Sequence, residues 1–487
     1  MLRAAPPHAP ARPGQHGTPV TGPRPHRRHG LRPAAPLAAL LALTLSACSL
    51  TTTGPLSKEQ TDRLASPDIA IRSAQLTQAA AARYDAQMDV FHPVVAKRGM
   101  VASEQALASE VGVDILKAGG NAIDAAVAVG FALAVVLPNA GNIGGGGFMM
   151  VHDARSGEYV ALDFRETAPA AATKTVFQDK KGNVIDGKSL YTHAAVGVPG
   201  TVAGLTHAQK KWGRLPLARV MAPAITLAEK GFTITAPLAA KLKTERETLG
   251  KWPSSRAIFW RSGAPLKAGD KLVQRDLAAS LKLIAAEGPD AFYKGPIARK
   301  IVADSQRHHG LITAADLAGY KAVERTPIRG SYRQFEVVTM PPPSSGGVHL
   351  VQMLNIMDGW PIGTWGQNSA QTVHHMAEAM KLAYADRAEY LGDPDFVQVP
   401  VTGLTSRKYA ALLRGQIDPA QAKPAKDIKP GKPQPYESDQ TTHYSVMDAK
   451  GNAVAVTYTL NTNFGTGIVA PGTGILLNNE MDDFSVK

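Results

Sequence analysis

The sequence predicts a mixed α+β fold. Three stretches carry that reading. Near the end of the chain, "THYSVMDAKGNAVAVTYTLN" has the pattern of a strand hairpin. Two capped helical patterns lie between Ser103 and Pro138, and "NAGNIGGGGFMMV" (139–151) is a glycine loop that runs into a strand. The chain has 487 residues, 19% of them charged. That suffices for a sizeable core in two to four domains, or in one large α/β unit.

Residues 1–48 read as an export signal. Six arginines and no acid in the first 50 residues are followed by the apolar run "PLAALLALTLSA", which is too short to cross a bilayer. "LSAC" (Leu45–Cys48) resembles the lipobox of bacterial lipoproteins. The resemblance implies acylation of Cys48 and a periplasmic protein held to the membrane only by a lipid anchor; an ordinary signal peptide is the alternative. The basic segment is long enough that the start codon is expected downstream. Cys48 is the sole cysteine, so no internal disulfide can form. Residues 49–90 are expected to form a polar tether.

The helical pattern "SEQALASEVGVDILKAGG" ends in Gly119-Gly120, a C-cap signal. Asn121 and Asp124 can cap the next helix, "NAIDAAVAVGFALAVVLP". It is apolar on nearly all sides, which predicts a buried core helix; its length and Asp124 argue against a membrane span. "EYVALDF" (158–164) and "QFEVVTM" (334–340) read as strands, the second ending in the rigid turn "PPPSSGG". Further helices are expected near 217–230, 276–287, 369–391 and 406–415. Residues 418–440 carry five prolines interleaved with Lys423, Lys426, Lys429 and Lys432, the pattern of a solvated linker.

Side chains alternate faces along the hairpin. Thr442, Tyr444 and Val446 share one face with Val454, Val456, Tyr458 and Leu460. Thr441, His443 and Ser445 face the other way with Thr457, Thr459 and Asn461. A three-residue loop, Ala449-Lys450-Gly451, places Thr441 opposite Thr459 with Cβ atoms about 5 Å apart; a shifted register places Asn461 there instead. Threonine is common on polar strand faces, so the hairpin alone proves nothing. The adjoining linker changes the reading. A cut before Thr441 would give it an α-amino group with a pKa of about 8 beside its own hydroxyl, a nucleophile with a built-in base.

These residues resemble the γ-glutamyltransferases, or γ-glutamyltranspeptidases, from about Met100 to the last residue. The most specific segment is "TTHYSVMDAKGNAVAVTYTLNTNFGTGIVAPGTGILLNNEMDDFS"; "GGNAIDAAVA", "PNAGNIGGGGFMM", "LDFRETAP", "GVPGTVAGL" and "PPPSSGG" support it. The resemblance implies an N-terminal-nucleophile hydrolase fold, an αββα sandwich of two stacked sheets flanked by helices. It implies a precursor cut between Gln440 and Thr441 into a large subunit (91–440) and a small one beginning at 441–487, which stay together as a heterodimer. Thr441 would be the nucleophile and Thr459 the residue that positions and activates it. Arg165 would hold the substrate α-carboxylate, with Asn461, Glu480 and Asp483 around the glutamyl head group. Glutathione and other γ-glutamyl compounds would be donors, with water, amino acids or dipeptides as acceptors, and no cofactor. Family members continue past "MDDFS" with a serine pair and a Gly-Gly oxyanion motif, so the chain is expected to be a fragment without those groups.

Two other functions fit parts of the pattern: an amidase of the same fold, such as a β-lactam acylase, and a non-catalytic lipoprotein or solute-binding module. A nucleic-acid role is not indicated. The net charge of +13 falls to about +7 without the signal, and no basic run is interleaved with aromatics. "GNVIDGKS" (182–189) fits a phosphate-loop pattern but lacks the preceding buried strand, and the Gly144–Gly147 run leads to a strand rather than a helix. No His/Cys spacing suggests a metal, and His374-His375 are expected at the surface.

Overall fold

A computed structural model describes residues 95–366, 368–429 and 441–484, with the backbone of 3–4. The expected signal, Cys48, the tether and Gln440 lie outside the described residues. The elements below belong to the unit that begins at Ala96.

Six strands form one antiparallel sheet: β1 (Gly99–Ala102), β2 (Gly146–Asp153), β3 (Glu158–Asp163), β4 (Val323–Arg325), β5 (Thr441–Asp448) and β6 (Ala453–Thr459). Their order is β4-β3-β2-β6-β5-β1. The hairpin expected near the C-terminus is thus the centre of the sheet, not an edge. Among the described residues every other sheet has two strands, including the hairpin Ile328–Tyr332/Phe335–Thr339.

The main helices are α1 (Ala106–Lys117), α2 (Ala122–Val136), α3 (Thr201–Trp212), α4 (Leu217–Lys230), α5 (Arg275–Glu287), α6 (Pro296–Arg307), α7 (Gly346–Met357), α8 (Ala370–Tyr390) and α9 (Arg407–Arg414). Local signals set the α1–α2 corner. Gly119 takes φ 94°, and the Gly120 N–H returns to the Ile115 carbonyl at 3.0 Å. Asn121 and Asp124 form a reciprocal capping box, Asp124 N–H to Asn121 Oδ1 at 2.9 Å and Asn121 N–H to Asp124 Oδ2 at 2.8 Å. Gln209 Nε2 (2.7 Å) and the Arg214 and Leu215 N–H groups also reach Asp124, so this buried carboxylate is fully engaged.

All residues of α2 are buried, and the helix packs on β5 and β6. The even-numbered face supplies the contact: Tyr444, Val446, Val454, Val456 and Tyr458 are each at most 2% exposed. Burying each such aliphatic side chain is worth roughly 1.5–3 kcal/mol. Gly130 permits the approach, since a Cβ there would lie 2.7 Å from Tyr444 Oη. The odd-numbered face, with His443 and Ser445 exposed, is left for chemistry.

Three expectations need correction. The linker is anchored over its first part. Ile428 is buried among Ile356, Met357 and Leu382, while His374 Nε2 and Lys381 Nζ donate to the Asp418 and Lys423 carbonyls at 2.7 and 2.6 Å. One apolar residue and two carbonyls outweigh the polar composition; residues 430–440 lie outside the described residues. His375 is buried, with ring centroids 4.6 Å from both Trp360 and Trp365. Asn461 does not continue β6: it adopts φ 77°, a left-handed conformation that asparagine tolerates. "GNVIDGKS" is a set of surface turns leading to a four-residue helix, Lys188–Tyr191.

Candidate active site

A cleft of about 600 Å³ opens on the odd-numbered face of the sheet. Thr457 and Thr459 of β6, His443 of β5 and Phe148 of β2 line it, together with Arg165, Asn461, Glu480 and Asp483. In β5, Thr441 pairs directly with Thr459, the register expected from the three-residue loop. Thr459 is 3% exposed, and its Oγ1 accepts the Asn461 N–H at 2.9 Å. The left-handed turn at Asn461 lets Asn461 Nδ2 donate to the Asn479 carbonyl at 3.1 Å. It therefore reaches the cleft by a turn and not by strand alternation.

Two asparagines hold this end of the sheet, and sequence reasoning missed both. Asn142 Nδ2 donates to the Thr459 carbonyl (2.8 Å), while its Oδ1 accepts from the Gly145 N–H (2.9 Å) and Thr201 Oγ1 (2.7 Å). Asn478 Nδ2 donates to the Gly144 and Gly197 carbonyls, both at 2.9 Å. Its Oδ1 accepts the N–H groups of Gly197 and Glu480 at 2.9 and 3.0 Å. The glycine run is needed for the same closeness: a Cβ on Gly145 would stand 2.0 Å from the Thr459 carbonyl oxygen. The one available signal was the amide side chain's capacity for two donors and two acceptors, which suits a buried junction of loops.

The charged wall is built across the whole chain. Arg165 follows β3, and Glu480–Asp483 is a short 3₁₀ turn. Arg165 Nη2 contacts Glu480 Oε1 and donates to Asp483 Oδ2 at 2.7 Å. Burial works against the guanidinium charge, but Glu480, Asp483, Glu166 and Asp163 more than offset it and raise its pKa. Burial pushes Glu480 up to about 7, against the pull of Arg165 and with the help of Asp483. Glu166, fully buried behind them, is also raised well above the carboxylate range by burial and by Glu480. Arg165 Nε and Glu480 Oε2 are buried and have no hydrogen-bond partner among the described residues. Both residues also line the cleft, which is of a size for a small ligand.

The cis Pro342–Pro343 turn brings Ser344 and Ser345 to the opposite rim, where Arg387 Nε donates to Ser345 Oγ at 3.2 Å. From the sequence this segment was legible as a rigid turn and as a motif of the family resemblance, with no role given to Ser344 or Ser345. Every site residue expected within the described range therefore borders one cleft or, for Thr441, pairs with a residue that does.

Residues 108–487 match the family model described as gamma-glutamyltranspeptidase. The glutathione hydrolase proenzyme of Escherichia coli (strain K12) is 59% identical over 405 residues, 83% of this chain and 70% of the relative. The crystal structure of Helicobacter pylori gamma-glutamyltranspeptidase superposes with a TM-score of 0.68 at 47% identity, covering 72% of this chain and 100% of that one. Cephalosporin acylase from Bacillus halodurans gives a TM-score of 0.73 at 33% identity, covering 83% and 74%.

Proposed function

The chain belongs to the γ-glutamyltranspeptidase family, and on that premise we propose that it is a γ-glutamyltransferase/glutathione hydrolase precursor that cuts itself between Gln440 and Thr441. The Thr441 hydroxyl attacks the Gln440 carbonyl carbon, the peptide C–N bond breaks, and the resulting ester is hydrolysed by water. The freed α-amine then takes the proton of the Thr441 hydroxyl as that oxygen attacks the γ-carbonyl of glutathione. The amide C–N bond breaks, cysteinylglycine leaves with the proton, and water or an amino acid releases the γ-glutamyl ester.

The observation that carries this reading is the pairing of Thr441 with Thr459 beside the Arg165–Glu480–Asp483 wall. The Arg165 guanidinium suits an α-carboxylate, and the Glu480 carboxylate suits an α-ammonium. Mass spectrometry of the purified protein should find a new N-terminus at Thr441, absent in Thr441→Ala, which should also release no glutamate. An uncut chain that hydrolyses glutathione at the full rate would overturn the reading. The acylase likeness supports a second reading, an amidase without an amino-acid head group; normal amide cleavage by Arg165→Ala would favour it.

We further propose export, supported by the basic segment and the apolar run before Cys48, and lipid anchoring, supported by the likeness of "LSAC" to a lipobox. A diacylglyceryl mass on Cys48, and release into the aqueous phase by Cys48→Ala, are the expected results. Among the described residues no helix is long and apolar enough to cross a membrane.

A further inference from the structure

Away from the cleft, three side chains that the sequence spacing did not connect come together. Asp304 lies in α6 and His308 follows one helical turn later, so both project from the same side. His193 enters from a separate 3₁₀ turn, His193–Ala195. His193 Nε2 stands 2.9 Å from Asp304 Oδ2, and His308 Nε2 stands 3.7 Å from Asp304 Oδ1. One ligand atom from each residue falls within 4.8 Å of the others. The two imidazoles stack with centroids 4.6 Å apart, and the Trp252 ring meets both edge-on, at 5.1 and 5.8 Å. His193 and Asp304 are buried, whereas the His308 side chain is 41% exposed and leaves a path for entry.

We propose that His193, Asp304 and His308 form a binding site for a divalent transition cation of the Zn²⁺ class. Two imidazole nitrogens and one carboxylate oxygen are a borderline donor set, suited to Zn²⁺ and unlike the all-oxygen shells of Mg²⁺ and Ca²⁺. Asp304 is a buried carboxylate flanked by imidazoles, and a cation there supplies the compensating charge that burial demands. The 3.7 Å between His308 Nε2 and Asp304 Oδ1 is a spacing at which both atoms can reach one cation at about 2.1 Å. The site adjoins the candidate active site through packing. Ala194, next to His193, is buried against Met481, which lies between Glu480 and Asp482 in the turn that bears the charged wall. Cation binding therefore stiffens the support of that wall without touching substrate.

The test is titration of the tag-free full chain, stripped of metal, with Zn²⁺ by calorimetry and with Co²⁺ by tryptophan fluorescence. One Zn²⁺ should bind per chain, and Co²⁺ should quench the part of the emission that Trp252→Phe removes. His308→Ala should weaken Zn²⁺ binding by at least about tenfold while its unfolding midpoint in chelator stays that of the unaltered protein. His308→Gln serves as the control should the alanine variant fold poorly. No saturable Zn²⁺ binding, or an affinity in both His308 variants equal to that of the unaltered protein, would overturn the proposal.

Discussion

Arg165 and Asp483 are 318 residues apart in sequence, yet Arg165 Nη2 donates to Asp483 Oδ2 at 2.7 Å, with Glu480 on the same nitrogen. This triad closes one wall of the cleft and leaves Arg165 Nε without a partner among the described residues. A guanidinium so placed grips two carboxylates of the protein and still has a donor for a third, on a ligand.

Arg165→Ala should therefore lose most of the affinity for γ-glutamyl compounds. A charge-assisted hydrogen bond is worth about 1.5–3 kcal/mol, so kcat/KM should fall by roughly 10- to 100-fold, chiefly through KM. Arg165→Lys should restore little, since an ammonium cannot keep both carboxylates and a ligand in one plane. Steady-state kinetics with a γ-glutamyl anilide, alongside a gel that scores cleavage at Thr441, separates ligand affinity from maturation.

Glu480 sets a pH dependence of stability. Its folded-state pKa of about 7 lies above the ordinary 4.5, so the native protein holds a proton that the unfolded chain releases. That contribution is fully present below about 4.5 and disappears as pH rises through about 7. Glu166 acts in the same direction. Thermal unfolding at a series of pH values should show a smaller drop across this interval in Glu480→Gln than in the unaltered protein. An identical drop in both would contradict the assignment.

Asn142→Ala should destabilise the protein by roughly 2–5 kcal/mol, because it strands the Gly145 N–H, the Thr201 hydroxyl and the Thr459 carbonyl in a buried site. Denaturant unfolding measures the loss. Since Thr459 is displaced along with its carbonyl, slower appearance of the Thr441 N-terminus should accompany it.

Gly145→Ala should act on the site more than on the core. The added methyl would press on the Thr459 carbonyl oxygen at 2.0 Å, and backbone on both sides must move. Cleavage before Thr441 should slow by more than tenfold while the far-ultraviolet circular dichroism stays native. Unchanged maturation kinetics would show that the end of β6 tolerates the shift.

What the sequence determined by itself is whatever depends on neighbours along the chain. The Gly119 C-cap and the Asn121/Asp124 capping box were legible because their hydrogen bonds span three to five residues. The Thr441–Thr459 register was legible because a short loop and two-residue alternation leave few pairings. Arg165, Glu480 and Asp483 were visible only as motif positions, and nothing in their local pattern says that they meet. Tertiary structure alone decided that meeting, the central place of β5 and β6 in the sheet, the loops tied by Asn142 and Asn478, and the anchoring of Ile428 inside a proline-rich stretch. Each is settled by burial: a polar group or an apolar side chain removed from water takes whatever partner the fold brings to it, and that partner lies far away in the chain.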